Sequence, residues 1–144
     1  MQARLFKRAS EEKIPSFFFV KAYAASRYVL KIDDLTFVDS FVSEDEIFEQ
    51  VKNKVKTRRG VVYDGEIMSW IGYLLREWSY RYGVLTSNIL KKVDLAYLSN
   101  VYSPYHSLDI LKAIEKIAKE KKIDLDEDSQ ERLRAILIKT FKPI

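Results

Sequence analysis

The stretch from Asp64 to Tyr82, closed by Gly83, limits the fold more than any other part of the chain. It reads as one amphipathic helix with two unlike faces. At about 100° per residue, Ile67, Trp70, Ile71, Leu74, Leu75, Trp78 and Tyr82 share a broad apolar side and are assigned to a core. Ser69, Gly72, Tyr73, Arg76, Ser79 and Tyr80 share the other side. A solvated face is usually rich in lysine and glutamate, whereas this one is aromatic and hydroxyl-bearing. It also carries one arginine, and a glycine that permits close approach of another backbone.

A chain of 144 residues is long enough to bury a core as one domain, here residues 1–144. Four glycines and three prolines supply little turn material, which argues against a sandwich or barrel of many short strands. The absence of cysteine excludes disulfides, thiol catalysis and thiolate metal sites. A cytoplasmic location is the expectation. A net charge of +4 permits attraction to nucleic acid without compelling it. No apolar run approaches the roughly 20 residues that span a bilayer, so no membrane association is expected. A signal peptide fits poorly, because Glu11 and Glu12 separate the basic start from Phe17–Val20 and Lys21 then interrupts the apolar part.

Around the central helix the chain divides into further helices. The apolar run 14–30 predicts a first, buried helix with Pro15 in its first turn. The alternative use of its phenylalanines is an apolar patch for a partner. Residues 31–42 fit either a short helix or an extended link. Ser43 and Glu46 predict a capping box for a helix burying Ile47, Val51 and Val55 and ending near Gly60. Thr86 or Ser87 is a candidate cap for a short helix. Pro104 is expected to interrupt any helix over 94–106. Ser107 is a candidate cap for a helix with the stripe Ile110, Leu111, Ile114, Ile117 and Ala118. A last helix would carry Leu133, Ile136 and Leu137. The expected fold is all-α, a single compact domain of five to seven helices around the helix at about 64–82.

Most familiar chemistry is missing. The scattered glycines form no phosphate loop, and His106, the only histidine, cannot make a His-rich metal site. Asp124, Asp126 and Asp128 begin like a calcium loop, but Ser129 and Ala135 stand where glycine and a bidentate glutamate are needed. No cofactor, no metal and no catalytic residue is assigned. Lys52, Lys54, Lys56, Arg58 and Arg59 form a basic run that could touch phosphates or could answer a helix dipole and solvate a face. Tyr73, Arg76 and Tyr80 are the strongest candidates for a partner-binding surface, because arginine beside tyrosine is common at interface hot spots. In the rival reading a neighbouring helix covers them and Arg76 pairs with an internal carboxylate. His106, before a helix, is read as bordering that surface or as structural.

The pattern Trp70-Ile71-Gly72-Tyr73-x-x-Arg76-x-Trp78, with Tyr105-His106-Ser107-Leu108-Asp109 and Ala113-Ile114-Glu115, resembles small uncharacterised bacterial proteins encoded beside ADP-ribosyltransferase-like toxins. The likeness covers roughly residues 64–117. It implies a bacterial, cytoplasmic protein that binds another protein, as the neutralising member of a toxin–antitoxin pair. The leading expectation is thus a non-enzymatic protein-binding module, antitoxin-like, using Tyr73, Arg76, Tyr80 and His106. One alternative is a nucleic-acid-binding regulator using the 52–59 run. The other is an enzyme using Arg76, Tyr80 and His106. Oligomeric state is left open.

Overall fold

The computed structural model describes residues 1–33 and 43–126. Among them are eight α-helices and no strand. These are α1 (Gln2–Glu11), α2 (Ser16–Ala24), α3 (Arg27–Asp33), α4 (Glu44–Val55), α5 (Gly65–Tyr82), α6 (Thr86–Lys92), α7 (Leu95–Tyr105) and α8 (Ile110–Glu120). The all-α expectation holds, but eight helices exceed the expected five to seven. Two differences raise the count and a third leaves it unchanged. The run 14–30 is split at Ser26, whose Oγ accepts the Val29 N–H and starts α3. The basic start of the chain, weighed only against a signal peptide and given no element, is helix α1. Its Gln2, Leu5, Phe6 and Ala9 are buried at the i, i+3, i+4, i+7 spacing of one helix face. Pro104 lies inside the last turn of α7 and does not break it, since only the exposed Asn100 carbonyl loses a helical donor there.

Other termini follow local chemistry. Ser43 caps α4 by accepting the Glu46 N–H, as expected. That helix ends at Val55, and Gly60 instead sits in the non-helical segment between α4 and α5, against Pro15 and Phe18. The cap of α8 is Asp109, not Ser107, and Thr86 is the first residue of α6 rather than its cap. Gly83 ends α5 in the left-handed conformation at φ 62°, which glycine adopts without a Cβ clash. The last predicted helix, with Leu133, Ile136 and Leu137, and most of the ambiguous 31–42 stretch lie outside the described residues.

Helix α5 is the axis of the packing. Its buried set is Met68, Ile71, Gly72, Leu74, Leu75, Trp78 and Ser79, so the core face is rotated toward Gly72 and Ser79. Trp70, expected in the core, is only half-buried and meets Tyr102 of α7 edge-on at 5.7 Å. The rotation follows from α1, which lies antiparallel along α5. A Cβ on Gly72 would stand 3.0 Å from Ala3 Cα and from the Gln2 carbonyl oxygen, while Gly65 faces Lys7 and Ser10. The close approach that Gly72 permits is therefore made by the chain's own first helix. Phe6, which also faces Gly72, forms an aromatic cluster with Phe19, Tyr23 and Phe48 that joins α1 to α2 and α4. Charges bind the exposed flank of α1 to α4: Arg4 to Glu44, Arg8 to Asp45 at 2.6 Å, and Lys52 to Glu12 at 2.8 Å. Arg8 also stacks over Phe48 at 4.0 Å.

Two predictions follow from this packing. Trp78 is 1% exposed, yet its indole N–H has no hydrogen-bond partner among the described residues. Trp78→Ala should cost about 3–5 kcal/mol in urea unfolding. Trp78→Phe should cost clearly less, since it removes a buried donor that gains nothing here; equal losses would contradict this placement. The Lys52 ammonium and Arg8 hold the Glu12 carboxyl below its usual 4.5, and Arg4 does the same for Glu44. Their contribution is therefore fully present above pH 4.5 and lost as pH falls through the depressed values. Tm measured from pH 6 to pH 3 should fall less steeply for Glu12→Gln/Glu44→Gln than for the parent.

Candidate functional site

The polar side of α5 divides into an inward and an outward part. Inward, Arg76 Nη1 donates to Asp33 Oδ1 at 2.7 Å and Nη2 to Gln2 Oε1 at 2.8 Å. Asp33 is 2% exposed and ends α3. It also accepts from Ser79 Oγ at 2.9 Å and from the Thr86 backbone N–H at 2.7 Å and hydroxyl at 3.0 Å. Gln2 closes the circuit: its amide donates to the Gly72 carbonyl at 2.8 Å, and its Oε1 takes the Tyr23 hydroxyl at 2.9 Å. Burial pushes the Tyr23 phenol well above its usual range. Asp33, Ser79 and Thr86 are thus buried polar groups that satisfy one another. Arg76 is 24% exposed and engaged on this inner side, which matches the rival reading of an arginine paired with an internal carboxylate.

Outward, Tyr73 and Tyr80 stand 48% and 68% exposed, two turns apart on one line. His106 is exposed at the end of α7 and stacks on Tyr102 at 4.3 Å. Its Nδ1 lies 2.8 Å from the Tyr102 carbonyl. A carbonyl only accepts, so Nδ1 carries the proton and Nε2 points away from that bond. Through Tyr102, His106 belongs to the Trp70 end of α5. Ten residues separate Trp70 from Tyr80, or about 15 Å of helix axis. The four candidates therefore do not converge. Tyr73 and Tyr80 share an outer line, Arg76 turns inward, and His106 reaches α5 through Tyr102 and Trp70, one turn from Tyr73 and about 15 Å of helix axis from Tyr80.

The basic run is also divided. Lys52 is taken by Glu12. Arg58 lies over the Phe18 ring at 5.4 Å, while Lys54, Lys56 and Arg59 are exposed. The aromatics that the run lacks in sequence come to it in space, because the non-helical segment after α4 crosses the start of α2. There Ser16 donates its backbone N–H to the Val61 carbonyl at 2.9 Å and accepts the Tyr63 N–H on its Oγ.

The sequence did not single out a groove between α2 and α6. Its volume is about 320 Å³, and its lining is mostly apolar, including Val20, Ala24, Leu90 and Leu95. Phe17, 55% exposed, forms part of its wall. The apolar-patch alternative for residues 14–30 pointed to the α2 side, but nothing in sequence placed α6 opposite it. Among the described residues, no group of three or more His, Asp or Glu could hold a metal, and no helix is long and apolar enough to cross a membrane.

Compared with known proteins, the chain matches no family model, no curated protein and no solved structure.

The Asp33 circuit gives a direct test. Arg76→Ala leaves a buried carboxylate without its cation and should destabilise the protein by about 3 kcal/mol, the low end for broken buried pairs because Arg76 is partly exposed. Arg76→Lys should recover only part of this, since one ammonium cannot reproduce the fork that spans Asp33 and Gln2. Wild-type stability of Arg76→Ala in chemical denaturation would remove the structural role.

Proposed function

We propose that this chain is a non-enzymatic protein-binding module and that the α2–α6 groove is its binding surface. The observation that carries the reading is an apolar concavity that the described fold leaves open, with a large aromatic side chain exposed at its wall. Aromatic side chains beside apolar pockets are the usual anchors of protein interfaces. Arg76 is occupied by Asp33 and Gln2, and His106 lies apart from Tyr80. That separation argues against an enzyme built from those three residues. The likeness carried by Trp70–Trp78 and Tyr105–Asp109 makes an ADP-ribosyltransferase-like toxin the first partner to test.

A photo-crosslinking benzoylphenylalanine at position 17, compared with the same group at position 73, tests the placement in cells. A discrete protein adduct at position 17 is the expected result. Adducts only at position 73 would move the interface to the outer tyrosines of α5, and none at either would reject the protein-binding reading.

Arg58 over Phe18, with Phe17 exposed beside them, favours nucleic acid as a second reading. If phosphates are bound there, retention of single-stranded RNA at low salt should fall steeply as salt rises and should be lost in Lys56→Ala/Arg58→Ala/Arg59→Ala. No mobility shift at low salt would eliminate it.

A further inference from the structure

We infer that the groove takes an amphipathic helix whose apolar ridge is flanked by carboxylates; this rests on the protein-binding reading above. The α2 wall presents positions 17, 20, 21, 24 and 25. The opposite wall presents 87, 90 and 91 of α6, then 94 and 95 at the start of α7. The α2 row runs i, i+3, i+4, i+7, i+8, the spacing of a helical ridge, and Ser87, Leu90 and Lys91 repeat its first three steps on α6 before Val93 and Asp94 leave the helix in extended conformation. A ridge on α2 ending in the small residues Ala24 and Ala25, faced by the short ridge of α6 and its turn into α7, forms a trough open to a short third helix. A volume of about 320 Å³ lies at the bottom of the range typical of small-molecule sites, which suits a few aliphatic anchors.

Charge decides the flanks. Each row carries a lysine at its i+4 position, Lys21 on α2 and Lys91 on α6, and both are exposed. Neither is in an ion pair among the described residues, although the Lys21 ammonium lies over the Phe17 ring at 5.8 Å. The one acidic residue in the lining, Asp94, accepts the Tyr97 N–H at 2.7 Å as the cap of α7. The apolar trough is therefore edged by a cation on each side. A helix with leucines at i, i+3 or i+4, and i+7 would fill the floor and place glutamates on either border against Lys21 and Lys91. Such complementarity sets partner choice and orientation more than raw affinity.

The experiment uses the full chain and two labelled peptides of about 14 residues. They share one leucine ridge and differ only in glutamate or lysine flanks. By fluorescence anisotropy, the glutamate peptide should bind at least about tenfold more tightly than the lysine peptide. Lys21→Glu/Lys91→Glu should reverse that order, and Phe17→Ala should weaken both, with Tm unchanged in each variant. Equal binding of both peptides, still dependent on Phe17, would overturn the charge assignment while leaving the groove as a protein site. Failure of both peptides would overturn the helix assignment, and the adduct at position 17 would then decide the broader reading alone. Palmitate bound in a Phe17-dependent way, with no peptide binding, would assign the groove to lipid and overturn the inference. A sedimentation dimer abolished by Phe17→Ala would assign it to a second copy and do the same.

Discussion

A carboxylate at 2% exposure is tolerated only if donors surround it, and Asp33 gathers them from elements far apart in sequence. Arg76 and Ser79 come from α5 and Thr86 from the start of α6, while Gln2 of α1 shares Arg76 with it. The carboxylate thus serves two ends at once. It neutralises the inward guanidinium, and its Oδ2 takes the first backbone donor of α6, which has no cap of its own. The short α6 is fixed in this way, and with it the second wall of the groove.

The helical class was legible because apolar spacing at 3.6 residues dominates α4, α5 and α8, and because glycine and proline are few. Ser43, Gly83 and the α8 stripe carried their positions locally. What failed was non-local. In α1 the apolar face is only Leu5, Phe6 and Ala9 among several charges. Those charges hid the helical face because their partners, Glu44 and Asp45, lie about forty residues away. Missing α1 displaced the core face of α5, since Gly72 and Ser79 are buried only where α1 and α3 reach them.

The same logic explains the site. Helical periodicity puts Tyr73 and Tyr80 on one side of α5 but leaves open whether a neighbouring helix covers them; both are exposed. The inward turn of Arg76 does not follow from periodicity, because it depends on Asp33, in a stretch whose pattern was ambiguous. The groove was less legible still. One wall is a largely apolar helix and the other is the end of α6 with its turn into α7, and only the fold sets the two side by side with a lysine on each border.

Gln2 gives the Asp33 circuit a long reach. Its side chain bonds to the backbone and side chains of residues 70 or more positions away, as well as to Tyr23. Its bonds to Gly72 and Arg76 need α1 against α5, its bond to Tyr23 needs α1 against α2, and all of them together need the three helices in place. Loop closure over such distances is costly before any contact repays it. The helices that meet at Asp33 and Gln2 should therefore behave as one opening unit in native-state hydrogen exchange. Amides of α1, α3, α5 and the start of α6 would share a common protection free energy, although their segments span more than eighty residues of chain.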